Sequence, residues 1–286
     1  MNISLGLERL KKSILSLKWY EWLMIGIMVA VAIFSVVTSA MHHNPLLELI
    51  SGHEVLDKTP LWLAAINFIS AIAGIMCIFL CAKASIGNFA FGIINTLTYT
   101  TALIYKCANG KPYLATVFLE VLVYLPVGII SWIIWARHRD RVEGCDHLTQ
   151  AKKLNWWQDL VVAGIVLGVT TAVHFGLSKI PYLVDNSWYT IGGTGTLGQV
   201  LGWLDSAVFA IGLVAIILQM IRYREQYVLW LIQDVVVVTQ FTLPLFMGVE
   251  NFDPVYWTKK MIYLIMAVIG LINWIKLQKM HNQTNE

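Results

Sequence analysis

The sequence predicts an all-α polytopic membrane protein that contains eight transmembrane helices arranged as two similar halves. Of the 286 residues, 58% are hydrophobic and only 13% are charged, whereas soluble domains carry about 25% charged residues. Apolar runs long enough to cross a bilayer recur along the whole chain. Several short motifs also occur once in each half of the sequence, which indicates an internal duplication.

Eight apolar runs have the length of a membrane-spanning helix. They are Tyr20–Met41, Leu61–Ala82, Gly87–Ala108, Tyr113–Trp135, Trp157–Leu177, Leu197–Ile221, Gln226–Gly248 and Val255–Leu277. The segment before the first run is basic and amphipathic, and that run is too long for a signal peptide. We therefore expect an interfacial helix that leads into a retained span.

These runs divide the chain into five segments. They are an N-terminal amphipathic segment 1–18, a first membrane half 19–137, a basic linker 138–155, a second membrane half 156–278 and a tail 279–286. Fourteen of the 20 Lys and Arg residues fall on one side of the predicted membrane. Because basic residues favour the cytosolic side, we expect a cell-membrane protein with both termini in the cytosol.

Matching motifs relate the two halves. The sequence Trp-Tyr-Glu-Trp at 19–22 is echoed by Trp-Trp-Gln-Asp at 156–159, and Gly-Ile-Ile-Ser-Trp-Ile at 128–133 is echoed by Gly-Leu-Ile-Asn-Trp-Ile at 270–275. The clearest match, at a displacement of 139 residues, aligns Asn88, Phe91 and Asn95 with Tyr227, Trp230 and Asp234. Four spans in each half give both halves the same orientation. The pattern therefore predicts parallel repeats with a substrate between them near the membrane midplane, as in some transporters.

The seventh run carries the best candidate site. Tyr227, Trp230 and Asp234 lie at positions i, i+3 and i+7, so they project from one helical face. A carboxylate near mid-bilayer is costly and marks a functional site. The sequence places no Lys or Arg at the depth of Asp234, so a proton, a polar neighbour or a cationic ligand must satisfy it.

We expect each half to contribute to one binding site. Trp230 and Tyr227 would stack on a ligand ring, and Asp234 would pair with the charge of the ligand. From the opposite half, Asn95 would donate or accept a hydrogen bond. The equivalent stripe in the third run adds Asn88 and Phe91 as candidates for the lining of the pathway.

Structural roles are the alternative for each of these residue types. Tyr227 fits an interface anchor as well as a ligand contact, and amides such as Asn95 often only bridge helices. Gln233 points about 100° away from the Trp230–Asp234 face, which indicates a structural role. Two further acids within spans, Glu120 and Asp205, could carry a proton in a coupled mechanism or remain neutral structural groups.

No metal or cofactor site is predicted. The four cysteines include no C-x-x-C pair, and the G-x-G-x-x-G match at 193–198 lacks a preceding strand. A membrane-embedded enzyme or an assembly scaffold is the competing class of function. We find no grouping of His, Cys and carboxylates with the spacing of an enzyme site, and a scaffold would not need polar stripes in both halves.

The motif Glu-Gln-aromatic-x-x-Trp-x-x-x-polar at 225–234 resembles that of the Pnu-type vitamin transporters, the PnuC family. The segment G-N-F-x-F-G-I-I-N at 87–95 and the two G-[IL]-I-x-W-I motifs support the resemblance, which spans about 61–277. It implies a SWEET-like fold of two three-helix bundles joined by a linker span, one extra N-terminal span and a homotrimer. It also implies facilitated diffusion of an unphosphorylated vitamin, which a cytosolic kinase then traps by phosphorylation.

The chain departs from this family at two positions of the motif. Where the family pattern reads W-x-x-W-x-x-x-N, this sequence has Tyr227 and Asp234. Tyrosine can still stack, whereas aspartate favours a cationic ligand, with a cation–π contribution from the rings of ~1–2 kcal/mol. Nicotinamide riboside carries a pyridinium and thiamine a thiazolium, while riboflavin is neutral and fits less well. The sequence therefore predicts a carrier for nicotinamide riboside or a similar cationic vitamin, with thiamine as the alternative.

Overall fold

A computed structural model describes residues 11, 14–52, 54, 59–108, 114–137, 152–178, 196–243 and 254–284. These residues are helical apart from turns, short irregular stretches and isolated β-bridges, one of which pairs Lys152 with Tyr223. The helices are α1 (Trp19–Met41), α2 (Pro45–Ser51), α3 (Leu61–Ala82), α4 (Asn88–Ala108), α5 (Leu114–Phe118, a π-helical segment Leu119–Tyr124, and Leu125–Arg137), α6 (Trp156–Ser178), α7 (Thr196–Met220), α8 (Gln226–Thr242) and α9 (Pro254–Thr284). The all-α prediction is therefore confirmed.

Among the described helices, six are long and apolar enough to cross a membrane. They are α1, α3, α5, α6, α7 and α9. The other two predicted runs form α4 and α8, which do not meet these criteria. Threonine and asparagine residues lower the mean hydropathy of α4, and α8 has only 17 described residues. Four expected features lie wholly or partly outside the described residues: the interfacial helix within 1–18, the linker 138–155, the G-x-G-x-x-G segment 193–198 and the end of the seventh run at 248.

Two connecting turns have the same backbone conformation. Ala84 links α3 to α4 with a φ of 56°, and Arg222 links α7 to α8 with a φ of 69°; both angles are left-handed. After Ala84, the N–H of Ser85 donates to the carbonyl of Leu80 at 2.9 Å. After Arg222, the N–H of Tyr223 donates to the carbonyl of Leu218, also at 2.9 Å. The same turn therefore occurs twice, 138 residues apart.

This repeated turn gives the register between the halves. At a displacement of 138 residues the equivalent pairs are Asn88 and Gln226, Phe89 and Tyr227, and Asn95 and Gln233. The predicted match of Asn88 with Tyr227 and of Asn95 with Asp234 is therefore wrong by one residue. Matching residue types along the chain could not detect this shift, because the register depends on where each turn begins.

Two buried tryptophans tie the halves together. The indole N–H of Trp135 in α5 donates to the carbonyl of Gln219 in α7 at 2.9 Å. In the reverse direction, the indole N–H of Trp274 in α9 donates to the carbonyl of Cys81 in α3 at 3.0 Å. Both tryptophans are fully buried and their rings lie 5.6 Å apart. Trp274 thus corresponds to Trp135, and the motif-based match with Trp132 is wrong.

The helix contacts show the same reciprocal arrangement as these two hydrogen bonds. The last helix of each half packs against the first bundle helix of the other, α5 on α7 and α9 on α3. Helix α1 packs against α3 and α9. The buried carboxylate of Glu21 in α1 forms an ion pair with Lys83 at 2.7 Å. Helix α6 packs on α7 and leaves its apolar side chains exposed, as expected of a face that contacts lipid. A cavity remains where the two halves meet.

Candidate functional site

The cavity lies between helices of both halves and has a volume of about 150 Å³. Its walls come from α3, α4, α5, α7, α8 and α9. Polar and aromatic side chains on these walls include Asn88, Asn95, Glu120, Tyr124, Trp230, Gln233, Asp234, Lys259, Lys260 and Tyr263. It is thus a mixed polar and aromatic cleft inside an apolar bundle, which is typical of small-molecule sites.

Four of the six predicted site residues line this cavity. Trp230 and Asp234 project from α8, and Asn95 and Asn88 project from α4. The ring of Trp230 also meets the ring of Tyr124 edge-on, with 6.0 Å between centroids. The two halves therefore both contribute to the wall, as the sequence predicts.

The other two predicted residues lie outside the described lining. Tyr227 is fully buried: its hydroxyl donates to Sγ of Cys81 at 3.3 Å, and its ring packs against Trp274 and over Gly270. Phe91 packs against the apolar cluster formed by α1, α3 and α9. Tyr227 follows the α7–α8 turn directly, and glycine at 270 opens a slot for its ring in α9. We therefore assign Tyr227 to helix packing and not to stacking on a ligand.

Asp234 has a basic neighbour, contrary to the expectation from the sequence. The side chain of Asp234 is 4% exposed, and its Oδ1 lies 3.6 Å from Nζ of Lys260. Helix α9 begins at Pro254, so Lys260 lies within the second turn of the helix. A lysine stem is long enough to carry its charge away from its own backbone position. The prediction that no Lys or Arg reaches Asp234 is therefore wrong.

Lys259 forms a second, more enclosed polar cluster. Its ammonium donates to Oδ1 of Asn95 at 2.7 Å and to Oγ of Ser70 at 3.3 Å, and it lies 5.0 Å from the ring centre of Tyr99. Ser70 also donates to Oδ1 of Asn95 at 3.2 Å. These bonds fix the Asn95 amide between α3 and α9, so Asn95 bridges helices as well as lining the cavity.

Glu120 lies in the π-helical segment of α5 and is 5% exposed. Such segments are frequent at functional sites, because the wider turn redirects side chains. Glu120 hydrogen-bonds with Thr96, while its Oε2 has no hydrogen-bond partner among the described residues. An unsatisfied buried carboxylate oxygen on a cavity wall is a candidate acceptor for hydroxyl or amide groups of a ligand.

Gln233 and Asp205 connect helices. The amide of Gln233 donates to the carbonyl of Val208 at 3.3 Å, which agrees with its structural interpretation, although it also borders the cavity. Asp205 accepts from Oγ1 of Thr116 at 3.0 Å and lies outside the cavity lining. Both side chains therefore join α7 to neighbouring helices.

The cavity contains balanced charges. Two carboxylates, Glu120 and Asp234, face two ammonium groups, Lys259 and Lys260. From the sequence, we expected a carboxylate at Asp234 with no Lys or Arg at its depth, so the two ammonium groups are a correction to that expectation. Two tyrosines from each half also border the site: Tyr99 and Tyr124 from the first, and Tyr256 and Tyr263 from the second. The lysines and tyrosines are remote in sequence from the aromatic motif, so that motif did not indicate them. The lysines could still have been noticed, because charged residues within a membrane-spanning run are rare and often functional.

Comparison with known proteins agrees with this architecture. Two proteins named nicotinamide riboside transporter PnuC are similar to this chain. The one from Neisseria mucosa is 29% identical over 224 residues, which cover 77% of this chain and 74% of that protein. The one from Haemophilus influenzae is 29% identical over 222 residues, covering 77% and 82%.

A crystal structure of the vitamin B3 transporter PnuC shares the fold of this chain. The TM-score is 0.65 at 22% identity, and the match covers 95% of this chain and 97% of that chain. Residues 62–276 match the family model described as nicotinamide mononucleotide transporter. That match covers well over half of the sequence. This multi-pass membrane protein therefore belongs to the nicotinamide mononucleotide transporter family.

Proposed function

We propose that this chain transports nicotinamide riboside, or a similar cationic vitamin, through the cavity between its two halves. The observation that carries the proposal is the placement of Trp230 and Asp234 on the wall of that cavity. The names of the similar proteins support the substrate. The family is one of transporters and not of enzymes, so the chain is not an enzyme.

In this proposal the substrate is held by one aromatic ring and several polar groups. Trp230 stacks on the pyridinium ring, and Asp234 pairs with its positive charge. Asn95 and Asn88 contact the substrate from α4, where Asn88 has a buried Oδ1 without a partner among the described residues. Glu120 offers its unsatisfied Oε2 to the ribose hydroxyls.

The transport cycle would use the duplicated architecture. We infer eight spans: the six strongly apolar helices, α4, which turns polar residues toward the cavity, and α8, of which 17 residues are described. The two halves form parallel, SWEET-like bundles that rock about the cavity and open it to each side in turn. Both termini lie in the cytosol, and the protein assembles as a homotrimer.

We further infer that transport is facilitated diffusion and that a cytosolic kinase traps the vitamin by phosphorylation. Purified protein in liposomes should equilibrate labelled nicotinamide riboside without ATP or an ion gradient. Label should accumulate above equilibrium only when a nicotinamide riboside kinase and ATP are enclosed. Uptake that requires a proton gradient would contradict facilitated diffusion and direct attention to Glu120 and Asp205. Thiamine and riboflavin in the same assay test the choice of vitamin.

The role of Asp234 can be tested by the variant Asp234→Asn. Loss of the carboxylate should weaken binding of nicotinamide riboside by about tenfold, the equivalent of ~1.4 kcal/mol. Binding of the reduced riboside, which is neutral and nearly the same shape, should change little. Asp205→Asn is the matched control, because the same substitution is then made outside the cavity. Equal losses for the charged and the neutral compound would remove the electrostatic argument.

A further inference from the structure

Lys260 places an ammonium group at the position that the proposed function gives to the charge of the substrate. Its Nζ lies 3.6 Å from Oδ1 of Asp234. The same nitrogen lies 5.0 Å from the ring centre of Tyr263 and 5.7 Å from that of Tyr256. One carboxylate and two aromatic rings therefore surround a single cation.

This set of neighbours is a cation site by its chemistry. Aromatic faces within about 6 Å attract a positive charge and are used to recognise organic cations. The carboxylate of Asp234 adds charge pairing in a position that is almost closed to solvent. A flat aromatic cation in the cavity would seek the same carboxylate and rings.

We propose that Lys260 is a tethered competitor: its ammonium occupies the cation subsite of the empty carrier and must withdraw when a cationic substrate binds. This inference rests on the proposed function of the cavity and adds a residue that determines affinity and charge selectivity. The inference explains why Lys260 lies beside Asp234, the carboxylate that is proposed to bind the cationic substrate.

The neighbouring lysine shows why Lys260 is the one suited to move. Lys259 is 4% exposed and donates to Asn95, to Oγ of Ser70 and to the carbonyl of Ser70. By contrast, the side chain of Lys260 is 14% exposed, and its contact with Asp234 is longer than the bond from Lys259 to Asn95. A lysine stem has four flexible carbons, so its head can leave the subsite without movement of α9.

Such a device would protect the carboxylate of the empty carrier. A buried charge without a partner is strongly destabilising, and Lys260 supplies that partner when no substrate is bound. The cost is competition, because a tethered group acts at an effective concentration of roughly millimolar or above. A cationic substrate must displace Lys260, whereas a neutral compound does not need Asp234. Removing the tether should therefore strengthen binding of cations selectively.

The test uses a matched pair of small probes. They are 1-methylnicotinamide, a permanent pyridinium cation, and nicotinamide, a neutral compound with the same ring and amide. In Lys260→Met, the Kd for 1-methylnicotinamide should fall by about tenfold relative to the wild-type protein, while the Kd for nicotinamide stays within about twofold. Lys260→Arg keeps the positive charge and should keep the wild-type ratio. Weaker cation binding in Lys260→Met, or equal changes for both probes, would overturn the proposal.

Two further measurements separate competition from a merely structural role. The double variant Lys260→Met, Asp234→Asn should lose the gain in cation affinity, because the carboxylate that attracts the cation is absent. Thermal unfolding should show a lower Tm for ligand-free Lys260→Met and a larger rise with 1-methylnicotinamide than in the wild type. If Lys260→Met does not yield folded protein, Lys260→Gln removes the charge, keeps a donor for Asp234 and carries the same expectation. A Tm that is raised equally in variant and wild type would contradict the proposal.

These outcomes are distinct from those of the proposed function. Failure of the wild-type protein to transport nicotinamide riboside would refute the substrate. The probe ratios in the Lys260 variants report on the cation subsite itself, whichever vitamin the cavity carries. A wild-type carrier of nicotinamide riboside whose Lys260→Met variant shows no gain in cation affinity would keep its function and lose the tethered competitor.

Discussion

Replacing Gly74 with alanine should disturb the candidate site although none of the residues proposed to contact the ligand is substituted. Gly74 lies in α3, and a Cβ added there would meet the hydroxyl of Tyr263, lie 2.6 Å from Cε of Lys259 and lie 2.8 Å from Oδ1 of Asn95. Ordinary van der Waals contacts of a Cβ begin near 3.4 Å. The added methyl group therefore displaces three cavity side chains at once.

The magnitude follows from two opposing effects. Overpacking of a well-packed interior costs about 1–3 kcal/mol, while alanine gains about 1 kcal/mol over glycine in a helix. We expect a net loss of up to ~2 kcal/mol in the free energy of unfolding. The same displacement weakens the 2.7 Å bond between Lys259 and Asn95. Because this displacement moves the Asn95 amide away from its proposed contact with nicotinamide riboside, we expect the loss of about one net hydrogen bond to the ligand, ~1 kcal/mol, which corresponds to a roughly fivefold weaker affinity.

Equilibrium binding and thermal unfolding in detergent measure both effects. Gly164→Ala is the control, because a Cβ at Gly164 in α6 has no described atom within 4 Å. That variant should bind as the wild type does and have an equal or slightly higher Tm. Wild-type affinity together with unchanged stability in Gly74→Ala would refute the close packing of α3 against the cavity side chains.

Other predictions concern the contacts between helices. Trp274→Phe loses the 3.0 Å bond to Cys81 and part of a fully buried ring, which should cost ~1–3 kcal/mol by thermal or denaturant unfolding. Trp135→Phe should cost a similar amount, since its 2.9 Å bond to Gln219 is the equivalent contact; a cost in only one of the two variants would contradict the reciprocal tie. Lys83→Met leaves the buried carboxylate of Glu21 with the N–H of Lys18, at 2.6 Å, but with no ion-pair partner among the described residues, and should destabilise the protein by up to ~3–5 kcal/mol. Adding Glu21→Gln should restore most of that loss, and failure of this rescue would show that the ion pair is not the cause.

Part of the candidate site was predictable because it depends on one helix alone. The spacing of Trp230 and Asp234 puts them on one face of α8, and both line the cavity. The place of Tyr227 was not predictable in the same way. It shares that spacing, yet its ring enters a slot that exists only because α9 has Gly270 at the point of contact. Whether a side chain on the right face reaches a cavity depends on the partner helix.

The charge of the site was also beyond the sequence pattern. Lys260 is 26 residues away from Asp234 along the chain, and only the packing of α9 against α8 brings their side chains together. A long flexible side chain can place its charge several ångströms from its backbone, so helix position alone does not give charge position. The register of the duplication had the same limit, because it is determined by the turns at Ala84 and Arg222.

An all-helical membrane protein and the helical face that carries Trp230 and Asp234 could be predicted from the chain alone. Both follow from hydropathy and the helical repeat, which are local properties of the chain. The transporter family was indicated separately, by the resemblance of the motif at 225–234. Three features became visible only in the assembled fold: α5 and α9 each pack against a helix of the other half, Tyr227 belongs to the packing, and Lys260 pairs with Asp234. The physical reason is that side-chain contacts between helices depend on the shape of both surfaces, and no single segment contains that information.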